Sequence, residues 1–188
     1  MTFANIRIRE TVLADLKDVL AVEQEAFDSD VEADLVEELL NDRTATPVLS
    51  LLAFKNAKPA GHILFTRARL ETDDQNTSLL PCIYILAPLA VIPEYQGQGI
   101  GGMLVKEGVK RLRQTGADLV FVLGHEEYYP KYGFIQNAHA LGFRPPFPIL
   151  PKHHNAWMIQ ALSSKDNTLY RGRIVCADAM NKLEYWQE

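Results

Sequence analysis

The stretch Leu89-Ala90-Val91-Ile92-Pro93-Glu94-Tyr95-Gln96-Gly97-Gln98-Gly99-Ile100-Gly101-Gly102 decides the fold. An apolar run from Cys82 to Val91, the pattern of a strand covered on both faces, feeds a glycine-dense turn. The turn opens directly into a helical pattern that ends near Gly116. Glycines at 97, 99, 101 and 102 allow positive φ and a close approach of ligand to backbone, while the first helical N–H groups point outward without partners. Together with the helix dipole, this arrangement suits a phosphate or pyrophosphate.

After the turn, Ile100, Leu104, Gly108, Val109 and Leu112 form one helical stripe, with Lys106, Lys110, Arg111 and Arg113 on the opposite, solvated side. Asp118 to Leu123 reads as a second buried strand, parallel to the first if the helix crosses over with the usual hand. The centre is therefore a βαβ unit. Upstream, Ile6 to Arg9 alternates like a half-buried strand. A helix carrying Leu16, Val19, Leu20, Ala26 and Phe27 follows, leaving Asp15, Lys17, Asp18 and Glu25 mostly for solvent. Asp28-Ser29-Asp30 breaks it, and Val31, Leu35, Leu39 and Leu40 mark a second helix ending near Asn41. Leu49 to Phe54 and Gly61 to Leu70 read as a strand hairpin joined by Lys55-Asn56-Ala57-Lys58-Pro59, and Thr72 to Ser78 as an exposed loop. Downstream, prolines at 145, 146, 148 and 151 mark a structureless connection, Ala156 to Leu162 a last central strand, and residues beyond Ser163 a loop with a short strand or turn.

The chain has 188 residues, 47% of them hydrophobic, which suits one substantial core and a single domain over 1–188. A net charge of -5 argues against a general nucleic-acid or membrane binder, so an anionic ligand must be held locally. Two cysteines, Cys82 and Cys176, lie far apart in no C-x-x-C arrangement, which fits a reducing compartment without disulfides or a zinc site. His125-Glu126-x-x-Tyr129 lacks the second histidine of a zincin helix, and His153-His154 has no further ligand nearby; no metal is expected. The N-terminus does not read as a signal peptide, and the uncharged run from Leu79 to Ile92 contains Pro81 and Pro88 and is too short to span a membrane. A soluble cytoplasmic protein is expected.

Three glycine-rich fingerprints compete for the turn. No Gly-Lys-Ser/Thr closes it, so it is not a Walker A loop. Gly97-x-Gly99-x-x-Gly102 satisfies the dinucleotide spelling, with Glu126 near the place of a ribose-binding carboxylate, but the alternating strands and helices of such a domain are missing. The third fingerprint includes the residue before the glycines. Gln96-Gly97-Gln98-Gly99-Ile100-Gly101 resembles the Q/R-x-x-G-x-G/A signature of the GNAT superfamily of acyl-CoA transferases, and Tyr129-Pro130-Lys131-Tyr132-Gly133-Phe134 resembles its Y-x-x-x-G-F motif at the family's spacing. The resemblance covers most of residues 5–162, leaving 163–188 as a C-terminal extension, and the wording around Leu123-Gly124-His125 and Tyr128-Tyr129-Pro130 is similar to the bacterial YhbS-like branch. Ala87 stands where that branch would have a glycine before Pro88.

The resemblance implies an α/β fold of the α+β kind: a mixed, mostly antiparallel sheet with one central parallel βαβ unit and flanking helices. It implies that the two central strands splay and that the acyl-pantetheine arm of acetyl-CoA lies in the gap. Leu89, Ala90 and Val91 would then grip the arm like an added strand, and the amides of Gln96, Gly97, Gln98, Gly99, Ile100, Gly101 and Gly102 would hold the pyrophosphate. It implies direct transfer to an amine, with Tyr129 as the acid that protonates the departing thiolate. Tyr128 and Tyr132 read as packing. Many family members carry a glutamate on the strand that here reads Ile83 to Val91, and this strand has no carboxylate. Glu25 and His125 are candidates for the missing base, each more readily explained as a solvated or capping residue. Lys131 or a cation of the helix's basic face would approach the 3′-phosphate. Asp28-Ser29-Asp30 with Glu32 would border the acceptor groove and favour a cationic amine. The expected partners are acetyl-CoA and an amine acceptor, with no nucleic acid and no membrane, and homodimer formation is left open. The rival reading is a non-catalytic acyl-CoA-binding or sensing module of the same fold.

Overall fold

A computed structural model describes residues 6–72, 80–164 and 170–186. The loop expected from Thr72 to Ser78 lies, beyond Thr72, outside the described residues. In chain order the elements are β1 (Ile6–Glu10), α1 (Leu16–Phe27), α2 (Val31–Asn41), β2 (Leu49–Lys55), β3 (Lys58–Glu71), β4 (Ile83–Val91), α3 (Ile100–Gln114), β5 (Leu119–Leu123), β6 (Phe143–Arg144), β7 (Trp157–Ala161) and β8 (Gly172–Val175). The main sheet runs β1-β2-β3-β4-β5-β7. Its neighbours are antiparallel except β4 and β5, which α3 connects in parallel. The mixed sheet with one central βαβ unit and flanking helices is thus the observed architecture.

Two segments are more ordered than their sequence suggests. The β2–β3 hairpin closes in two residues, Asn56 and Ala57, at φ 51° and 64°, a tighter turn than the five-residue connection expected. Positive φ at both positions matches the twist of the flanking strands. The proline-rich connection is not structureless: it contains β6, which pairs in parallel with β8, and the Phe143 carbonyl accepts the Trp157 indole N–H at 2.9 Å. β8 in turn pairs with the end of β3 through Leu70 and Ile174.

Alternation along the strands builds two apolar layers. Leu52, Leu64, Ile85, Phe121, Trp157 and Ile159 face α1, α2 and Trp186 near the C-terminus, while Leu51, Ile63, Phe65, Leu86, Val120 and Met158 face α3. On β4 this parity inverts. Ile85 faces α1 and α2 and Leu86 faces α3, yet further on Ala90 faces α1 and α2 while Leu89 and Val91 pack toward α3. The register explains it: Phe65 pairs with Leu86 and Ile63 with Leu89, so β4 carries one extra residue at Ala87–Pro88. A bulge of one residue flips every later side chain to the other face and bends the strand, and proline, lacking an N–H, is tolerated there.

Charged residues also enter the layer beneath α1. Asp15, expected at the surface, is buried; it accepts both Arg9 guanidinium nitrogens at 2.6 and 2.8 Å and the Val12 N–H at 2.8 Å. The Arg9 bond, helped by Val12, holds its carboxyl down at about 2. Deeper in, Glu23 and His62 are both 0% exposed and meet at 2.5 Å between Oε1 and Nδ1, while His62 Nε2 lies 2.9 Å from Ser50 Oγ. The order Ser-His-Glu is that of a nucleophilic triad, but Ser50 is buried within the core at only 4% exposure. Within the core, each of Glu23 and His62 is the other's polar partner. Removing one partner strands a buried polar group; removing both does not. His62→Ala is expected to lose about 3–5 kcal/mol in denaturant unfolding, and Glu23→Leu with His62→Leu distinctly less; a double variant as unstable as the sum of the singles would contradict this.

Candidate functional site

β4 and β5 pair only from Ile83–Leu119 to Ile85–Phe121. Beyond that point β4 continues to Val91 on the β3 side and β5 to Leu123 on the β7 side, so the two central strands diverge. A cavity of about 880 Å³ occupies the divergence, lined on one side by Leu86, Ala87, Pro88, Leu89 and Val91 and on the other by Leu123, Gly124 and His125. Backbone groups on an unpaired strand edge retain their hydrogen-bonding demand, so this edge is a template for an extended ligand. Ala90 does not line the cavity; its side chain is buried, and its residue pairs with His62.

The glycine turn forms the adjoining wall. Gln96, Gly97, Gly99, Ile100, Gly101 and Gly102 all line the cavity, whereas Gln98 turns away to donate to the Glu94 carbonyl at 3.0 Å. The Gln96 side chain donates to the Val91 carbonyl at 2.9 Å, tying the turn to the end of the strand. The glycines divide into two kinds. Gly97 and Gly99 sit at φ 71° and 82° with open space where a Cβ would be, so they serve backbone conformation. Gly101 and Gly102 are helical and buried; a Cβ on Gly101 would lie 2.5 Å from the Tyr128 hydroxyl, and one on Gly102 would run into the Tyr132 ring. Positive φ at all four glycines was expected; the structure instead gives two of them to close approach. Gly99 is the N-cap of α3, and its carbonyl accepts the first helical bond, from Met103 at 3.0 Å. The N–H groups of Ile100, Gly101 and Gly102 therefore have no partner one turn back.

Tyr129 reaches the same cavity from the short 3-10 turn Tyr129–Tyr132 after β5. It is 8% exposed, and its ring packs edge-on against Tyr128 and Phe134 with centroids 5.1 and 5.6 Å apart. Gly124 permits that placement, since a Cβ there would lie 2.7 Å from the Tyr129 ring. Tyr128 and Tyr132 pack as expected but also line the cavity, and burial, followed by its bond with Tyr132, pushes the Tyr128 phenol up.

Of the other sequence candidates, Glu25 is exposed and absent from the cavity wall, while His125 is on it. Asp28, Ser29 and Asp30 do not line the cavity; of that acidic stretch only Glu32 does. On the basic face, Arg111 and Lys110 pair with Glu107 at 2.8 and 3.6 Å, and Lys106 stands over the Tyr132 ring at 5.8 Å. Three contributions went unread. Lys55 donates to Gln98 Oε1 and lies 5.1 Å from the Tyr95 ring centroid, beside the turn. Glu23 and His62 are buried one strand behind β4. Met180, Glu184, Tyr185 and Trp186, near the C-terminus, line the cavity, held to α2 through Lys182–Glu38 at 3.1 Å and to its C-cap by the Ala179 N–H on Asp42 at 2.9 Å. Glu23 alone had a visible signal, falling four residues after Val19 and three before Ala26 on the apolar stripe of α1. Among the described residues no group of three or more His, Cys, Asp or Glu is arranged to hold a metal, and no helix is long and apolar enough to cross a membrane.

Comparison with known proteins places this geometry. Residues 14–134 match the model of the acetyltransferase (GNAT) family. The chain is 47% identical over 178 residues to the uncharacterized N-acetyltransferase YjhQ of Escherichia coli K12, covering 95% of this chain and 96% of that protein. It is 32% identical to the uncharacterized N-acetyltransferase YhbS of the same strain over 70% of this chain and 75% of that protein. The crystal structure of E. coli YhbS in complex with CoA superposes with a TM-score of 0.82 at 26% identity, covering 97% of this chain and 95% of that one. A GNAT acetyltransferase from Brucella melitensis in complex with acetyl-CoA shares the fold, with a TM-score of 0.71 at 24% identity over 95% of this chain and 99% of that one.

The glycine–tyrosine packing makes a test. Gly102→Ala is expected to destabilise the chain by about 1–3 kcal/mol through overpacking, although alanine favours helices. Tyr132→Leu in the same chain should restore part of the loss. Denaturant unfolding showing Gly102→Ala at least as stable as the parent would refute the packing role.

Proposed function

This chain belongs to the acetyltransferase (GNAT) family, in its YhbS-like bacterial branch, and from that premise we propose that it transfers an acetyl group from acetyl-CoA directly to the primary amine of an acceptor. The observation that carries the reading is the unpaired edge of β4, which ends in the glycine turn and shares one cavity with Tyr129. An extended pantetheine arm can satisfy that edge as an added strand, through the backbone of Leu89 to Val91. The amides of Gly97 to Gly102, with those of Ile100 to Gly102 free at the N-terminus of α3, suit the pyrophosphate, and Lys55 beside the turn supplies a cation for it. A backbone N–H of β4 is the donor we assign to the thioester oxygen as it becomes an oxyanion. The neutral amine nitrogen attacks the carbonyl carbon, the C–S bond breaks, the Tyr129 O–H gives its proton to the thiolate sulfur, and a nitrogen proton returns to the phenolate. The pairing of β8 with β3, and of the Trp186 and Trp157 rings at 5.8 Å, supports reading 1–188 as one domain.

One observation favours the rival sensing module: β4 offers no carboxylate as a base. The readings separate on turnover. Acetyl-CoA should raise the melting temperature, and Tyr129→Phe should lower kcat for an accepted amine by about 100-fold or more, within the range of general acid catalysis, with acetyl-CoA affinity nearly unchanged. Strong acetyl-CoA stabilisation with no thiol release across a broad amine and peptide panel would instead establish the sensor.

A further inference from the structure

The cavity wall is charged in one sense only. Among the described residues that line it, Glu32 and Glu184 are carboxylates, His125 is the one imidazole, and there is neither lysine nor arginine. Both carboxylates belong to the wall formed by the α1–α2 corner and the C-terminal segment, where Phe27, Leu35, Met180, Tyr185 and Trp186 supply apolar surface. His125 comes instead from the end of β5, the element that leads to Tyr129. This wall is distinct from the glycine turn and the β4 edge assigned to the cofactor.

Glu32 is unusual within it. It lies in the first turn of α2, where an acid favours the helix dipole, but exposed Asp34 meets that demand equally well. The dipole does not account for a carboxylate oxygen, Oε2 of Glu32, that is fully buried with no hydrogen-bond partner among the described residues. Behind it stands Glu23, whose Oε1 is bonded to His62 and whose Oε2 is likewise buried and unpartnered. Burial above all, with the charge of Glu32 adding to it and the His62 contacts opposing, raises the Glu23 carboxyl. Of the two carboxylates in this corner, Glu32 is the one on the cavity wall. A carboxylate oxygen enclosed without a donor is costly, and at the cavity wall an ammonium binds the Glu32 carboxylate better than a hydroxyl does, since charge-assisted bonds are about twice as strong as neutral ones.

Resting on the acetyl-transfer reading, we propose that Glu32 is the general base missing from β4, and that the wall around it selects an acceptor presenting a cationic amine on a compact apolar body. Glu32 holds the ammonium and takes one proton from it, which leaves a neutral amine. The nitrogen lone pair then forms the C–N bond to the acetyl carbon, and the thioester π electrons move to oxygen. On collapse the C–S bond breaks, the sulfur takes the Tyr129 proton, and the second nitrogen proton returns to that phenolate. The proton on Glu32 passes to solvent through the cavity, so one proton is released per turnover. The titratable groups sharing these surroundings are Glu23 from α1, His62 from β3, Tyr95 from the turn after β4, Glu184 and Tyr185 from the C-terminal segment, and His125, Tyr128, Tyr129 and Tyr132 from the far wall.

The test uses the full chain with acetyl-CoA, 2-phenylethylamine as probe amine and 2-phenylethanol as its neutral counterpart. Thiol release is expected with the amine, and the alcohol should neither react nor compete at equal concentration. Glu32→Gln should lower kcat/KM for the amine by about 100-fold or more and flatten the low-pH limb of its profile, while acetyl-CoA still stabilises the variant as it does the parent. Glu37→Gln, exposed on the same helix, should stay within about twofold of the parent, since surface substitutions away from special features change little. The inference is overturned, with acetyl transfer left standing, if Glu32→Gln keeps more than about a tenth of the rate, a loss too small for a general base. It is equally overturned if the alcohol competes as well as the amine, or if the acetyl-CoA-stabilised parent does not turn over the amine. If acetyl-CoA does not stabilise the parent chain, both readings fall.

Discussion

After Ile85 and Phe121 the two central strands stop exchanging hydrogen bonds, and the rest of the structure follows from that loss of pairing. A parallel pair in the middle of a sheet would ordinarily stay closed, because an open interior edge leaves amides and carbonyls unsatisfied. Here β4 is bent by its extra residue at Ala87–Pro88, and β5 ends at Leu123 with its other edge fully engaged by β7. The edge of β4 thus becomes available to an extended ligand at the depth of the core, with the glycine turn at its end.

Keeping such an opening from collapsing requires rigid walls, and several unrelated features supply them. Tyr128 and Tyr132 press on the first turn of α3 at the two positions where glycine leaves room, so the turn that offers its amides is fixed from behind. Gln96 locks the turn to the Val91 carbonyl. On the other face, α1 reaches across to β3 through Glu23 and His62, whose residue pairs directly with Ala90 of β4. The C-terminal segment closes that side by pairing β8 with β3 and seating Trp186 on Trp157.

Much of this was legible from residue order. The apolar run into Gly97-x-Gly99, the stripe from Ile100 to Leu112 and the strand at 119–123 are local patterns, and local patterns fixed β4, α3, β5 and their parallel pairing. Gln96 and Tyr129, which carry the two motifs, line one cavity. What escaped is non-local. Glu23 and His62 are 39 residues apart, Lys55 and Gln98 are 43 apart, and β8 finds β3 across about a hundred positions, so no spacing rule joins them. Asp28 and Asp30 were misleading for a related reason: charge pattern gives a helix corner but not which of its side chains turn inward, and only Glu32 does. Asp15 looked solvated because its partner Arg9 sits on a different element.

The central claim is that the β4 edge and the glycine turn together form the acetyl-CoA site. Backbone hydrogen exchange followed by mass spectrometry, with and without acetyl-CoA, tests it most directly, because a bound pantetheine and pyrophosphate must occupy amides that are otherwise open. Slowed exchange is expected in peptides spanning Leu86 to Gly102, with little change in β1 and β2. Unchanged exchange over that span at saturating acetyl-CoA, or protection confined to another part of the sheet, would contradict the account.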